Sequence, residues 1–248
     1  MSQFKDLFSN HSTDYAKFRP TYPTNLFQYL SSLVDEHEFA WDCGTGNGQA
    51  AVMLAPYFKK VIATDPSKKQ IAMAEKVSNV EYRICPAEKI NLKDQSVSLI
   101  SVAQAFHWFN QEKFFHEVKR VLKPSGVLAI WCYELAKINP KIDRVVFHLY
   151  SEILEDYWEK ERQLVEEGYS KVVFPFLEIT PPEFEIKATW SLAHFIGYMG
   201  TWSAVQTYIK KNGHNPIELI FSELKKVWGD EPLKEVRWNL GIRIGRSY

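Results

Sequence analysis

Asp42-Cys43-Gly44-Thr45-Gly46-Asn47-Gly48-Gln49 decides how the rest of the chain is read. It follows a short strand pattern, Phe39-Ala40-Trp41-Asp42, and leads into a helical one, Gly48 to Phe58. Glycines at alternate positions remove Cβ atoms where a strand turns into a helix, so backbone N–H groups at the helix N-terminus can come close to a ligand. In a parallel sheet that turn lies at the carboxyl edge of the strands, where ligands bind at the switch in strand order. Asp65 ends the next strand pattern, Lys60 to Asp65, about twenty residues beyond Gly44. A carboxylate at that spacing accepts hydrogen bonds from the two hydroxyls of a ribose. The spacing is G-x-G-x-G and not G-x-G-x-x-G, and no G-K-[ST] follows, so the dinucleotide fingerprint and the P-loop are both missing. Asp42, just ahead of the glycines, suits a cationic ligand group such as an α-ammonium and would repel a phosphate.

The alternation continues outward from this turn. Before it, Thr24 to Glu38 places Leu26, Phe27, Leu30, Leu33 and Val34 on one helical stripe. After it, strand patterns at Val80 to Cys85, Val97 to Ala105 and the unbroken apolar run Val127 to Tyr133 alternate with helical ones at Lys68 to Val77 and Asn110 to Leu122. Beyond Tyr133 the rhythm changes. Lys141 to Gly168 reads as one long helix with an acidic outer face, His194 to Lys211 and Pro216 to Trp228 as helices, and Phe184 to Leu192 and Val236 to Arg246 as strands. The expected fold is α/β: a doubly wound, mostly parallel, seven-stranded, Rossmann-like sheet with an antiparallel edge strand and a helical cap. Within one domain, residues 1–38 form an N-terminal lid and first helix, 39–133 the core, and 134–248 the cap with the last two strands.

Composition narrows the classes of function. Of 248 residues, 46% are hydrophobic and 24% charged, which is enough apolar material for a buried core. Thirty Lys+Arg balance thirty Asp+Glu, which gives no global pull toward nucleic acid or anionic lipid. Cys43, Cys85 and Cys132 are odd in number and widely spaced, which argues against a disulfide framework and for a reducing, cytoplasmic setting. No apolar run approaches the ~20 residues of a membrane helix, and no apolar signal region follows Met1. The seven histidines show no ligand spacing with one another or with cysteine, so no metal is expected.

With these motifs in hand, the chain resembles the class I S-adenosylmethionine-dependent methyltransferases of the type 11 group. Asp42-Cys43-Gly44-Thr45-Gly46-Asn47-Gly48 matches the first motif and Asp65 the acidic end of the second strand. Cys85-Pro86-Ala87-Glu88, Ala103-Gln104-Ala105-Phe106-His107-Trp108-Phe109 and Val121-Leu122-Lys123-Pro124-Ser125-Gly126 fit the later ones. The stretches Asp14 to Pro23 and Thr201 to Gln206 are similar to the fungal trans-aconitate methyltransferases and their uncharacterised relatives.

The resemblance implies S-adenosylmethionine as cofactor, with S-adenosylhomocysteine as product, and assigns roles by position. Gly44, Gly46 and Gly48 line the methionine part, with Asp42 orienting that loop or the cofactor's amino group. Asp65 holds the ribose diol, Pro66-Ser67 wall the adenine, and Ala87 and Glu88 border its other edge. Pro86 stands where the family often has Asp, which shifts adenine selectivity to backbone groups or to Glu88. Gln104, Ala105, His107 and Trp108 form the floor near the sulfonium and the acceptor. Tyr15 and Arg19, four apart on one helical turn, read as a lid, Arg19 pairing the cofactor carboxylate and Tyr15 shielding the sulfonium.

The implied reaction is transfer of a methyl group to a small-molecule acceptor, an oxygen or carboxylate, in one in-line displacement. A carboxylate acceptor is already ionised at neutral pH and needs no base, so His107 reads as a positioning or packing residue rather than a proton acceptor. Trp108 either packs in the core or stacks beneath the cofactor. Two other classes fit less well: a nicotinamide oxidoreductase, which needs the longer glycine fingerprint, and a non-catalytic cofactor-binding protein, against which the intact loop and Asp65 argue. No N-P-P-aromatic sequence follows the fourth strand, which together with the acidic cap argues against a nucleic-acid partner. The oligomeric state is left open.

Overall fold

The computed structural model describes residues 17–248. Five strands follow the alternation: β1 (Phe39–Cys43), β2 (Lys60–Asp65), β3 (Val80–Ile84), β4 (Val97–Ala103) and β5 (Leu122–Tyr133). They are parallel and lie side by side in the order β3-β2-β1-β4-β5. Their residues are buried nearly throughout β1, β2, β4 and β5, as a sheet covered on both faces requires. The last third adds β6 (Leu177–Ile179), β7 (Glu185–Trp190) and β8 (Lys234–Arg246). β8 runs antiparallel to β5 through its C-terminal half and to β7 through its N-terminal half, and β6 pairs with its end.

Helices cover the sheet: α1 (Thr24–Ser32), α2 (Gln49–Leu54), α3 (Lys68–Ala72), α4 (Gln111–Val121), α5 (Pro140–His148), α6 (Arg162–Glu166), α7 (Leu192–Gly200), α8 (Ser203–Asn212) and α9 (Ile217–Trp228). Side-chain caps set several of their starts. Ser67 accepts from the Gln70 N–H, Asn110 from Lys113, and Asn139 from Lys141 and Ile142. Two apolar clusters form. One unites α1, one sheet face and the cap helices α7 and α9; the other packs α4 and the aromatic residues Tyr169 and Phe176 on the opposite face.

The expected sheet and cap are present, with four differences in detail. β5 starts at Leu122, because Pro124-Ser125-Gly126 form an irregularity within the strand, with Ser125 at φ 63°, rather than a stop before it. Three-residue β6 was not expected; two of its residues are exposed, and it carries no alternating pattern. The single helix expected from Lys141 to Gly168 is broken after His148 by a widened π turn, Leu149–Ile153, and a 3-10 turn, Glu155–Tyr157, before α6. Trp158 takes part in the break, donating its indole N–H to the Tyr150 carbonyl at 2.9 Å. The helix expected from His194 to Lys211 divides at Thr201 and Trp202, whose N–H groups turn back to the Tyr198 and Met199 carbonyls.

β8 passes the turn after α6 at very short range. A Cβ on Gly241 would stand 2.6 Å from the Gly168 Cα, a backbone atom that cannot swing aside. Gly241→Ala is therefore expected to lower stability by about 1–3 kcal/mol, as overpacking does. Gly200→Ala, where a Cβ meets nothing within 4 Å, is expected to be near neutral. Urea denaturation of both variants checks the contrast.

Candidate active site at the switch in strand order

The chain proceeds from β1 outward to β2 and β3, then returns to lay β4 on the other side of β1. The loops leaving β1 and β4 therefore diverge, and a cavity of about 600 Å³ opens at their carboxyl ends. Gly44, Gly46 and Gly48 all adopt left-handed backbone, at φ 68°, 57° and 89°. A Cβ on Gly44 would lie 2.5 Å from the Ala105 Cβ, so the β1 and β4 loops touch only because position 44 is glycine.

Two carboxylates fix the loop from behind and from the side. Asp42 is fully buried and accepts from the Ser101 hydroxyl at 2.6 Å and from the Thr45 hydroxyl. Asp65 accepts the Gly46 N–H at 2.9 Å on one oxygen and the Ser67 N–H at 2.8 Å on the other. Across the cavity, Gln104 adopts φ 54° at the end of β4 and its side chain accepts the Tyr133 N–H at 2.9 Å, which locks the ends of β4 and β5 together. His107 sits below, buried, its Nδ1 3.0 Å from the Tyr169 hydroxyl. Burial, and secondarily the positive charge of Arg162, pull its pKa down to about 3, so the imidazole is neutral.

The cap closes the far side with Trp158, Arg162, Tyr198 and Trp202. Arg162 donates from Nε to the Tyr150 hydroxyl at 3.0 Å and stacks 5.1 Å from the Trp158 ring centre. No carboxylate lies within ion-pair distance of it among the described residues. Arg19 bridges the N-terminal segment to the cap: it donates to the Tyr133 hydroxyl at 2.6 Å and the Thr201 hydroxyl at 2.9 Å, over the face of Tyr198.

A glycine cradle, a strand-end carboxylate and an aromatic cap around one cavity match what comparison with known proteins finds. Residues 41–130, from β1 to β5, match the family described as a methyltransferase domain. Over 99% of its length the chain is 40% identical to a Dictyostelium discoideum protein that carries a provisional methyltransferase name, covering 97% of that protein. The chain belongs to the class I S-adenosylmethionine-dependent methyltransferases. A Saccharomyces cerevisiae protein named provisionally as an S-adenosylmethionine-dependent methyltransferase is 25% identical, with 92% of each chain covered. A solved Anaeromyxobacter dehalogenans structure, described provisionally as a type II methyltransferase, superposes with a TM-score of 0.86 at 40% identity, covering 92% of this chain and 98% of that one.

Most residues singled out in the sequence of this methyltransferase come together here. Arg19, Gly44, Gly46, Asp65, Pro66, Ser67, Ala87, Glu88, Gln104, Ala105, His107 and Trp108 all line the cavity. Asp42 and Gly48 stand behind its wall, Asp42 holding Thr45 and Ser101, and Gly48 giving room to the Tyr82 hydroxyl, which a Cβ would meet at 2.4 Å. Glu88 is engaged in structure, accepting the Asn110 N–H at 2.8 Å. Tyr15 lies outside the described residues. Sequence reasoning missed Arg162 and Trp158, because a straight helix from 141 to 168 offered no reason for its residues to face a site, and it missed Gln70 of α3, which belongs to none of the motifs. The residues fit S-adenosylmethionine on observations independent of any likeness. The glycine turn leaves a cradle without Cβ atoms, Asp65 presents its carboxylate at the cavity, and the buried amide oxygen of Gln70 in the same wall lacks a partner among the described residues.

Asp42 carries an energetic cost. Burial first, with a smaller contribution from the charge of Asp65, raises its pKa from 3.8 to about 6, against the lowering effect of the two hydroxyls and the Ala51 N–H. Below about pH 4 the carboxyl is protonated in both folded and unfolded chains. Between about 4 and 6 the unfolded chain gives up its proton and the folded chain keeps it, so this group's contribution to stability falls as pH rises. A shift of about two units corresponds to roughly 3 kcal/mol. Urea denaturation across pH is expected to show Asp42→Asn gaining on the wild type by about that much between pH 4 and 7.

Proposed function

We propose that this methyltransferase acts in the cytoplasm on the oxygen of a small-molecule carboxylate. The observation that carries this reading is Arg162, a guanidinium in the cavity wall without a carboxylate partner among the described residues. A cation held by Tyr150 and Trp158 beside an open cavity suits a bidentate carboxylate from a ligand. The widely spaced Cys43, Cys85 and Cys132, all free thiols, support a reducing compartment. No described helix is long and apolar enough to cross a membrane.

S-adenosylmethionine, when bound, supplies an electrophilic methyl group on a sulfonium. The chain's own residues bind, align and exclude water. In this reading Asp65 takes the ribose hydroxyls, the Gly44–Gly46 turn takes the methionine part, and Pro66, Ser67, Ala87 and Glu88 surround the adenine. Gln104, Ala105, His107 and Trp108 border the acceptor, whose carboxylate is anchored from the cap by Arg162. The acceptor oxygen arrives ionised, so none of these residues needs to take a proton. Orientation alone is worth effective molarities of ~10⁵ M or more, enough to carry much of such a rate.

Two substitutions test the two halves of the cavity. Asp65→Ala is expected to weaken S-adenosylmethionine binding tenfold or more in calorimetry; unchanged affinity places the ribose elsewhere. Arg162→Met is expected to raise the KM for the acid about ten- to a hundredfold, the loss of a charge-assisted pair, while cofactor affinity holds. The acceptor is found by mass spectrometry of carboxylic acids, trans-aconitate among them, incubated with enzyme and cofactor. Methyl transfer to amines and to no acid would overturn the carboxylate assignment.

A further inference from the structure

Tyr169 is held in an unfavourable backbone conformation by an unusual number of bonds. It follows Gly168 (φ 55°) with φ 61° of its own, a region that costs a non-glycine residue energy. Its N–H donates to the Leu164 carbonyl at 2.9 Å, and Arg243 of β8 donates to the carbonyls of Tyr169, Ser170 and Val172 at 2.8, 3.2 and 3.0 Å. The same guanidinium is fixed from its other edge by both oxygens of Glu178 on β6, at 2.9 and 2.6 Å. The outcome is a tyrosine ring with no exposure, whose hydroxyl lies 3.0 Å from His107 Nδ1 and also meets the His107 backbone N–H, which can only donate to it.

The two possible arrangements of that bond are not equivalent. If Nδ1–H donated to the phenol oxygen, the phenol's own proton would be buried with no acceptor, a costly state. If the phenol donates to Nδ1, both atoms are satisfied, and the imidazole proton sits on Nε2. That nitrogen has no partner among the described residues and is not sealed off from the cavity that His107 lines. A charged imidazolium would also orphan the phenol proton, and burial disfavours it independently.

We infer that Tyr169 is a positioning residue that fixes His107 as the Nε2–H tautomer, so that this imidazole presents a hydrogen-bond donor and no proton acceptor to the cavity. The imidazole lone pair is already committed to the phenol and is not available as a base. Acceptors that must lose a proton before they attack, such as alcohols or ammonium groups, therefore get no help from His107. Acceptors that bring their own negative oxygen can receive a hydrogen bond from it. This last consequence rests on the reading of the cavity given above; the tautomer itself does not.

The test needs no acceptor. The full chain is labelled with ¹⁵N-histidine, and long-range ¹H–¹⁵N correlation spectra are recorded near neutral pH without cofactor. His107→Gln assigns the ring by deletion of its signals. The expected pattern is a protonated Nε2 beside an unprotonated Nδ1. In Tyr169→Phe the two nitrogens are expected to shift toward each other as the fixed tautomer is lost. A wild-type ring protonated at Nδ1, or at both nitrogens, overturns the inference, as does a Tyr169→Phe spectrum identical to wild type. Should Tyr169→Phe fail to fold, the wild-type pattern alone decides. Failure here leaves the carboxylate assignment standing, because that is read from Arg162 and product mass.

Discussion

Contact between the loops that leave β1 and β4 is the constraint on which the cavity depends. The sheet order puts these strands side by side while their following connections part, and Gly44 against Ala105 is where the parting begins. Any side chain at position 44 wedges the two loops apart at their root. The left-handed backbone at Gly44 and Gly46 then turns the peptide N–H groups, one of which, Gly46, is already spoken for by Asp65. Asp65 thus does structural work in joining the first two βα turns, and the same carboxylate faces the cavity.

Asp42 sits where burial works against its charge. An acid sealed beneath a glycine turn is a poor choice for folding, since two hydroxyls and the Ala51 N–H do not make up for the water its charge loses. Its retention makes sense if the field it projects through the turn is useful to a cationic ligand group. The neighbouring floor shows the opposite treatment: His107 is kept neutral by burial, with the hydrogen bond at its Nδ1 supplied by Tyr169, far along the chain.

The half of the fold that makes the sheet was legible because its signals are local. Lys60 to Asp65 has the β-branched run of a strand, Asn110 has the side chain of a helix cap, and the glycine turn announces itself by composition. The cap was read less well because its decisive events are not local. The chain breaks at Tyr150 when an indole eight residues later captures its carbonyl, and it breaks at Thr201, which takes two hydrogen bonds from Arg19 at the other end of the sequence. Helical periodicity persists through both breaks, so pattern alone carries straight on. Arg162 and Trp158 went unnoticed for that reason, whereas Tyr198 and Trp202, among the aromatics that crowd the cap, do reach the cavity wall.

β8 never borders the cavity, yet through Arg243 it grips the turn that carries Tyr169, and through Gly241 it lets that turn approach. The segment after β5 and the closing strand are therefore one inheritable unit. A chimaera that borrowed residues of the cap from a relative but kept its own final strand would graft a lock without its matching bolt. Recombination that respects this geometry has its natural seam at Tyr133, with everything downstream moving together.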